Sequence, residues 1–183
     1  TETLPGQDAL SLLKTGRWMW SGDALGREGA QLLAEVAAEQ GDTDTALWAL
    51  HHLLRTAPEE EAGALRAQAR AIYGAFYAEG AAGEIDLGPF LEGHTRISAR
   101  WRFDPGFVGH AMAVPQRLLD TGMTALAARE YRALREMAQT LERGGATAPD
   151  ASLMARLRRG EARALLAGGQ ADAAVDLLSG YAD

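Results

Sequence analysis

Arginines and tyrosines at helical spacing are the residues of this sequence best suited to hold a ligand. Four of them share one side of the helix expected at 59–79, at intervals of three or four residues: Arg66, Arg70, Tyr73 and Tyr77. A guanidinium group can hold a carboxylate through two parallel hydrogen bonds. A neighbouring tyrosine ring can pack on the apolar part of the same ligand. This side of the helix is therefore predicted to bind a ligand.

A second set of arginines lies in the segment expected to form a helix at about 150–168. Arg156, Arg159 and Arg163 fall on one face of that helix. We hypothesise that both arginine sets grip an acidic peptide segment or the C-terminal end of a peptide. The alternative is a solvated face, in which the arginines pair with nearby glutamates such as Glu130 and Glu161.

Trp48 stands at an outward position of the helix expected at 44–57. His52 and Arg55 continue its side of the helix at spacings of four and three. A bare tryptophan at such a position would mark an interface with a partner. The alternative is that Trp18 or Trp20, from the N-terminal "RWMW" segment, folds back and covers it.

Residue patterns for catalysis or metal binding are absent from the sequence. His51 and His52 are neighbours on a helix and point about 100° apart, so they cannot easily share a metal ion. His94 and His110 have no His, Asp or Glu partner at the spacing of helical metal ligands. The residue before Lys14 is leucine, where a phosphate-binding loop needs glycine. We expect no catalytic residues, no metal and no cofactor.

Composition limits the classes of partner. The chain is 47% hydrophobic and 23% charged, with a formal net charge of −7 and no cysteine. The acidic balance argues against nucleic-acid binding, and no apolar run of about 18 residues predicts a membrane span. We expect a soluble cytoplasmic or periplasmic protein of undetermined oligomeric state. Since residue 1 is Thr, we expect a mature form or part of a larger protein.

Helix signals recur along the whole chain, and glycines punctuate them at a regular interval. The interrupting residues are Gly41, Gly80 or Gly83, Gly122 and Gly169, which lie 39 to 47 residues apart. A period of about 40 residues with two helices in each period is typical of stacked helix hairpins. The sequence predicts one all-α domain, 1–183, of eight to nine helices. Its hairpins are expected at about 23–58, 59–102, 105–144 and 150–181, after an N-terminal helix or cap at 1–22. A compact orthogonal bundle is the alternative.

Two interruptions stand out from the helical pattern. Residues 80–88, "GAAGEIDLG", are expected to form a loop, and Pro115 is expected to kink or split the helix that follows 105. A small molecule held between these features would make the chain a regulatory ligand-sensing domain, which is the alternative function. An unrecognised enzyme with an orthogonal helical fold is a third possibility.

The segment "EQGDTDTALWALHHLLRTAPEE" resembles a tetratricopeptide repeat. The matching residues are Gly41, Ala46, Leu50, Leu53 and Pro58. The segments "LLDTGMTALAAREYRAL" and "EARALLAGGQADAAVDLL" are similar to it. The resemblance implies a right-handed stack of antiparallel hairpins, with the first helix of each hairpin lining a groove that binds a protein or peptide partner. The period is longer than the usual one of the family, and Pro115 and the 80–88 loop depart from its pattern.

Overall fold

The described part of the chain is helical, with short turns between the helices. A computed structural model describes residues 6–17, 24–143 and 151–180, and no strand occurs in these ranges, which confirms the all-α class. None of the helices in them is both long and apolar enough to cross a bilayer. The helices are α1 (Gly6–Gly16), α2 (Ala24–Glu39), α3 (Thr43–Leu54), α4 (Glu59–Ala82), α5 (Leu87–Trp101), α6 (Phe107–Ala111), α7 (Ala113–Asp120), α8 (Thr124–Arg143), α9 (Ala151–Ala167) and α10 (Ala171–Ser179).

Two compact units divide the chain, Thr1–Phe76 and Tyr77–Asp183, and the division falls inside α4. In the first unit, α2 packs on α3 and α1 packs on α2. In the second unit, α7 packs on α8, α8 on α9 and α9 on α10, while α7 also contacts α5 and α9. Most of these packed pairs join helices that follow one another in the sequence. The single domain and the right-handed stack stay predictions.

Four glycines end helices in the same way. Their φ angles are positive: 72° at Gly41, 82° at Gly83, 79° at Gly122 and 75° at Gly169. In each turn the glycine N–H donates to the carbonyl oxygen three residues back, and the next N–H donates to the carbonyl five residues before it. This is the Schellman motif, in which glycine adopts a left-handed backbone without the penalty that a Cβ brings. The predicted turn positions are confirmed. Of the two glycines considered for the second turn, Gly83 has the positive φ and Gly80 does not.

In the turns at Gly41, Gly122 and Gly169, only one residue separates the glycine from the next helix. The carbonyl of the residue after the glycine accepts the first hydrogen bond of the new helix, and the donor four positions later is an alanine. The three donors are Ala46, Ala127 and Ala174, none more than 1% exposed. A methyl side chain allows the helices of a hairpin to approach closely at this point. The spacing of these alanines in the sequence predicts this packing role.

The turn between α4 and α5 is two residues longer than the others. Its accepting carbonyl belongs to Asp86, three positions after Gly83, and the donor is Phe90. The loop predicted at 80–88 is therefore wrong in extent: it covers only 83–86, because α4 continues to residue 82.

Pro115 lies in the second of two short helices rather than in one long one. α6 ends at Ala111 and α7 begins at Ala113. Proline has no N–H to donate to the carbonyl oxygen four positions earlier, which is that of Ala111. The predicted split of this helix is confirmed, and it falls one turn before the proline.

The buried side of α4 is displaced by about one residue from the predicted one. The sequence predicts a stripe of Leu65, Ala69, Ile72 and Phe76, but only Ala69 among them is fully buried. The enclosed positions are Ala62, Ala69, Tyr73, Tyr77 and Gly80. Tyr73 and Tyr77 take the buried places expected for Ile72 and Phe76, and each tyrosine ring contributes a large apolar area to the interior.

Gly80 tests how tightly α4 and α5 pack. A Cβ added there would lie 2.0 Å from Cε2 of Phe90, whereas at Gly63 of the same helix it would meet nothing within 4 Å. We expect Gly80→Ala to lower the free energy of unfolding by about 1–3 kcal/mol through overpacking. Gly63→Ala should raise it by up to about 1 kcal/mol, because alanine favours helix. Urea titrations of both variants check this, and a stabilised Gly80→Ala would contradict the close contact.

Candidate functional site

The α4 residues predicted to bind do not share an exposed face. Arg66 is exposed and Arg70 is half-buried. Tyr73 and Tyr77, however, are 0% and 1% exposed, so their predicted role against a ligand is corrected. A ring enclosed in the interior cannot pack on a molecule at the surface. Tyrosine rings favour the interior wherever the hydroxyl finds a hydrogen-bonding partner there.

Tyr77 finds that partner in His94 on α5. Its hydroxyl lies 2.8 Å from Nδ1 of His94. The Tyr77 ring meets Phe90 and Phe107 edge-on, each with ring centroids 6.1 Å apart. Burial lowers the pKa of His94 from 6.5 to about 4, because the charged imidazolium would lose its hydration. At neutral pH the imidazole is therefore uncharged and shares one hydrogen bond with the Tyr77 hydroxyl through Nδ1, which indicates a packing role.

The arginines predicted on α9 are all at the surface. Arg156, Arg159 and Arg163 are exposed, on the helix Ala151–Ala167. Within the described ranges, the structure records no ion pair for any of the three. We call them the α9 arginine face. Their charges are available to a ligand.

Glu161 does not neutralise this face, although it is the acid of the same helix. It is 1% exposed, and its two carboxylate oxygens accept hydrogen bonds from Nε of Arg132 at 2.9 Å and Nε of Arg135 at 3.0 Å. The alternative in which Glu161 pairs with the α9 arginines is therefore wrong. A buried carboxylate needs charged partners of this kind, and here they come from α8.

The charge of α8 and α9 is opposite to that of the whole chain. Together the two helices contain eight arginines and four glutamates, whereas the chain carries a formal net charge of −7. One of the four glutamates is the buried Glu161. This helix pair is thus a local positive region, which attracts anionic groups over a distance of about 8–10 Å at physiological salt.

Trp48 has partners in its own unit. Its ring stacks on His52, with centroids 5.4 Å apart and planes at 13°, and the guanidinium carbon of Arg17 lies 5.0 Å from its centroid. Trp48 and His52 are half-buried and Arg55 is exposed. The predicted covering residues Trp18 and Trp20 lie outside the described residues, but Arg17 is their neighbour in the sequence. The Trp48 ring is therefore not bare.

The region proposed for a sensed small molecule contains an arginine. Pro115 is buried. A Cβ on Gly83, in the 83–86 turn, would lie 3.1 Å from an Nη atom of Arg117. The Arg117 side chain therefore packs against this turn, and the absence of a Cβ at Gly83 leaves room for it. The sensing function stays a prediction.

Comparisons with known proteins add no residues to this account. No protein-family model, curated protein or solved structure matches the chain. Among the described residues, no cluster of three or more His, Asp or Glu side chains is arranged to hold a metal ion. The candidate site therefore rests on the chemistry of α8 and α9.

The arginines of α8 were not predicted from the sequence as candidate binding residues. Arg129, Arg132 and Arg135 recur every three residues, so they lie close together on one part of the helix surface. That spacing was the available signal. It does not reveal that Glu161, 26 and 29 positions further along the chain, is the partner of two of them.

His94 makes stability depend on pH. Its pKa of about 4 in the folded chain lies below the usual 6.5, so the unfolded chain takes up the proton first as the pH falls. Stability should decrease from pH 6.5 down to about pH 4, by up to about 1.4 kcal/mol per pH unit, and then level off. Urea titrations across this range give the free energy of unfolding at each pH. Its slope against pH should be smaller in His94→Gln than in wild type. The slope should be unchanged in His110→Gln, because His110 is an exposed histidine of the same unit. If the free energy of unfolding had the same slope against pH in wild type and in His94→Gln, the predicted role of His94 would be contradicted.

Trp48→Ala distinguishes a packed ring from a free interface residue. Because the ring stacks on His52 and lies beneath Arg17, its removal should lower the free energy of unfolding by about 2–3 kcal/mol. Leu25→Ala, at an exposed leucine of the same unit, should change it by less than about 0.5 kcal/mol. Thermal and urea unfolding measure both. A Trp48→Ala protein as stable as wild type would favour the interface interpretation.

Proposed function

We propose that the chain is a non-catalytic helical-repeat scaffold whose α9 arginine face holds an acidic, extended peptide segment of a protein partner. The observation that carries the proposal is the exposure of Arg156, Arg159 and Arg163 without a carboxylate partner within the described residues. In an acidic chain, unpaired arginines on one helix face are costly to group together, because like charges repel. A bound anionic segment would remove that repulsion.

The hairpin turns support the scaffold part of the proposal. Four helices end in the same glycine closure, and three of the turns lead to a buried alanine at the same position of the next helix. In the second unit, α9 contacts α7, α8 and α10. A tetratricopeptide-like stack has such contacts, because the first helices of successive hairpins lie side by side along its groove. In that arrangement α7 and α9 line the groove.

The spacing of the arginines suits an extended peptide. From Arg156 to Arg163 the helix rises about 10 Å, at about 1.5 Å per residue. An extended chain covers that distance in about three residues, and its alternate side chains lie about 6.6 Å apart on one side. Acidic residues at alternate positions can therefore meet successive arginines. Each guanidinium can hold a carboxylate through a forked pair of hydrogen bonds.

Peptide binding tests the proposal. A fluorescent peptide with glutamate at alternate positions is titrated with the protein, and anisotropy gives the Kd. Arg159→Glu with Arg163→Glu should weaken binding at least about tenfold, since two charge-assisted contacts become repulsive. Arg96→Glu with Arg100→Glu, on α5, makes the same change in net charge and should leave the Kd within about twofold of wild type.

Two outcomes would contradict the proposal. One is a Kd that survives the Arg159 and Arg163 reversals. The other is equally tight binding of a DNA oligonucleotide of the same net charge, because charge alone would then explain the association. A peptide with lysine in place of glutamate should not bind.

A further inference from the structure

A pocket of about 200 Å³ lies between α8 and the turn that joins α9 to α10. At about 30 Å³ for each liquid water, it accommodates a ligand of fewer than about ten non-hydrogen atoms. Its lining is small and apolar at the base and polar at the edge. The lining residues are Thr124, Ala125, Ala128, Arg129, Arg132, Ala164, Leu165, Gly168 and Gln170.

Two arginines give the pocket its charge. Arg129 is exposed, and no ion pair of its side chain is recorded within the described residues. Arg132 uses Nε to bind Glu161, so its terminal amino groups remain as donors, and its side chain is 51% exposed. No carboxylate lines the pocket. Outside the lining, Glu130 interacts electrostatically with Arg129 and Glu161 pairs with Arg132, so the lining itself carries two positive charges and no negative one.

The base of the pocket is apolar and closely packed. Ala128, Ala164 and Leu165 are buried. A Cβ added at Gly168 would lie 3.1 Å from Oγ1 of Thr124, so the glycine lets the hydroxyl of α8 approach the α9–α10 turn. A ligand that fills this space needs a short aliphatic part against the base and an anionic end at the arginines.

We propose that this pocket binds a carboxylate that carries a short aliphatic chain. Arg129 and Arg132 hold the carboxylate, while Ala128, Ala164 and Leu165 contact the methylene groups. A free dicarboxylate such as glutarate and a glutamate side chain of a bound peptide share this chemistry. The two arginines of the pocket lie on α8, whereas the α9 arginine face consists of other arginines, so the proposal goes beyond the peptide-binding function.

Residue-resolved NMR with glutarate as the probe tests the assignment. Amide shifts in wild type should cluster at 124–129 and 168–170, and their concentration dependence gives the Kd. Arg129→Gln should weaken binding at least about tenfold, since it removes a charge-assisted contact. Ala125→Leu keeps every charge but fills the pocket from its exposed edge, and it should abolish the shifts.

Matched variants separate the pocket from general effects of charge and bulk. Arg143→Gln removes an arginine elsewhere on α8, and Ala133→Leu adds the same bulk at an exposed position outside the pocket. Both should bind glutarate as wild type does. Shifts that are absent from wild type, or that persist in Ala125→Leu, would overturn the proposal.

Two further measurements decide the source and the class of ligand. Inorganic phosphate that produces the same shifts with the same Kd would overturn the assignment to an aliphatic carboxylate. The glutamate peptide should compete with glutarate if its side chain enters the pocket. Without competition, the free dicarboxylate is the ligand. The double variant Arg159→Glu and Arg163→Glu should bind glutarate as wild type does. The peptide-binding proposal and the pocket proposal can therefore fail independently, because the first is read from the Kd of the peptide and the second from the Kd of glutarate.

Discussion

A left-handed backbone conformation at four glycines determines where the hairpin helices of the described chain end. Each closure satisfies two carbonyl groups that a helix end would otherwise leave without partners. Three closures also fix the register of the following helix, since its first hydrogen-bond donor is the alanine five positions after the glycine. The crossings of α8 with α7 and of α10 with α9 begin from these points. Without Gly122 and Gly169, the basic helix pair and the pocket beside it would not be positioned.

The features that the sequence predicted well are local ones. Gly41, Gly122 and Gly169 were identifiable as turns because only a few residue types tolerate positive φ, and the split near Pro115 followed from its missing N–H. The all-α class followed from helical periodicity along the whole chain. These constraints act within about five residues, so they can be read from the sequence.

The features that it missed depend on distant partners. Tyr77 was expected to face a ligand because it continues the helical spacing of Arg66 and Arg70, but His94, on the next helix, provides the partner that permits burial. The alternative to peptide binding was that Glu161 pairs with arginines of its own helix, but two arginines of α8 hold it. Neither pairing has a periodic signal, and both need the geometry of the hairpins. The candidate site could therefore be predicted on α9 and not on α8.

Some arginines of the second unit pair with the buried Glu161, and others remain available to solvent or a ligand. Arg135 has a side chain that is only 13% exposed, and it serves the buried carboxylate. Arg132 serves it with one nitrogen and keeps the others for solvent or a ligand. The α9 arginine face does not contribute to this network. The interior acid is therefore neutralised without drawing on the α9 arginine face.

The turn at 83–86 has two residues more than its counterparts, yet its glycine closure is the same as theirs. Closure of the helix and length of the connection are thus independent at this point. Lengthening this turn further should lower the free energy of unfolding only slightly, by about 0.6 kcal/mol for each doubling of a flexible loop. Between Glu84 and Ile85, after the closure is complete, the chain offers a natural insertion point for a reporter tag or a spectroscopic label.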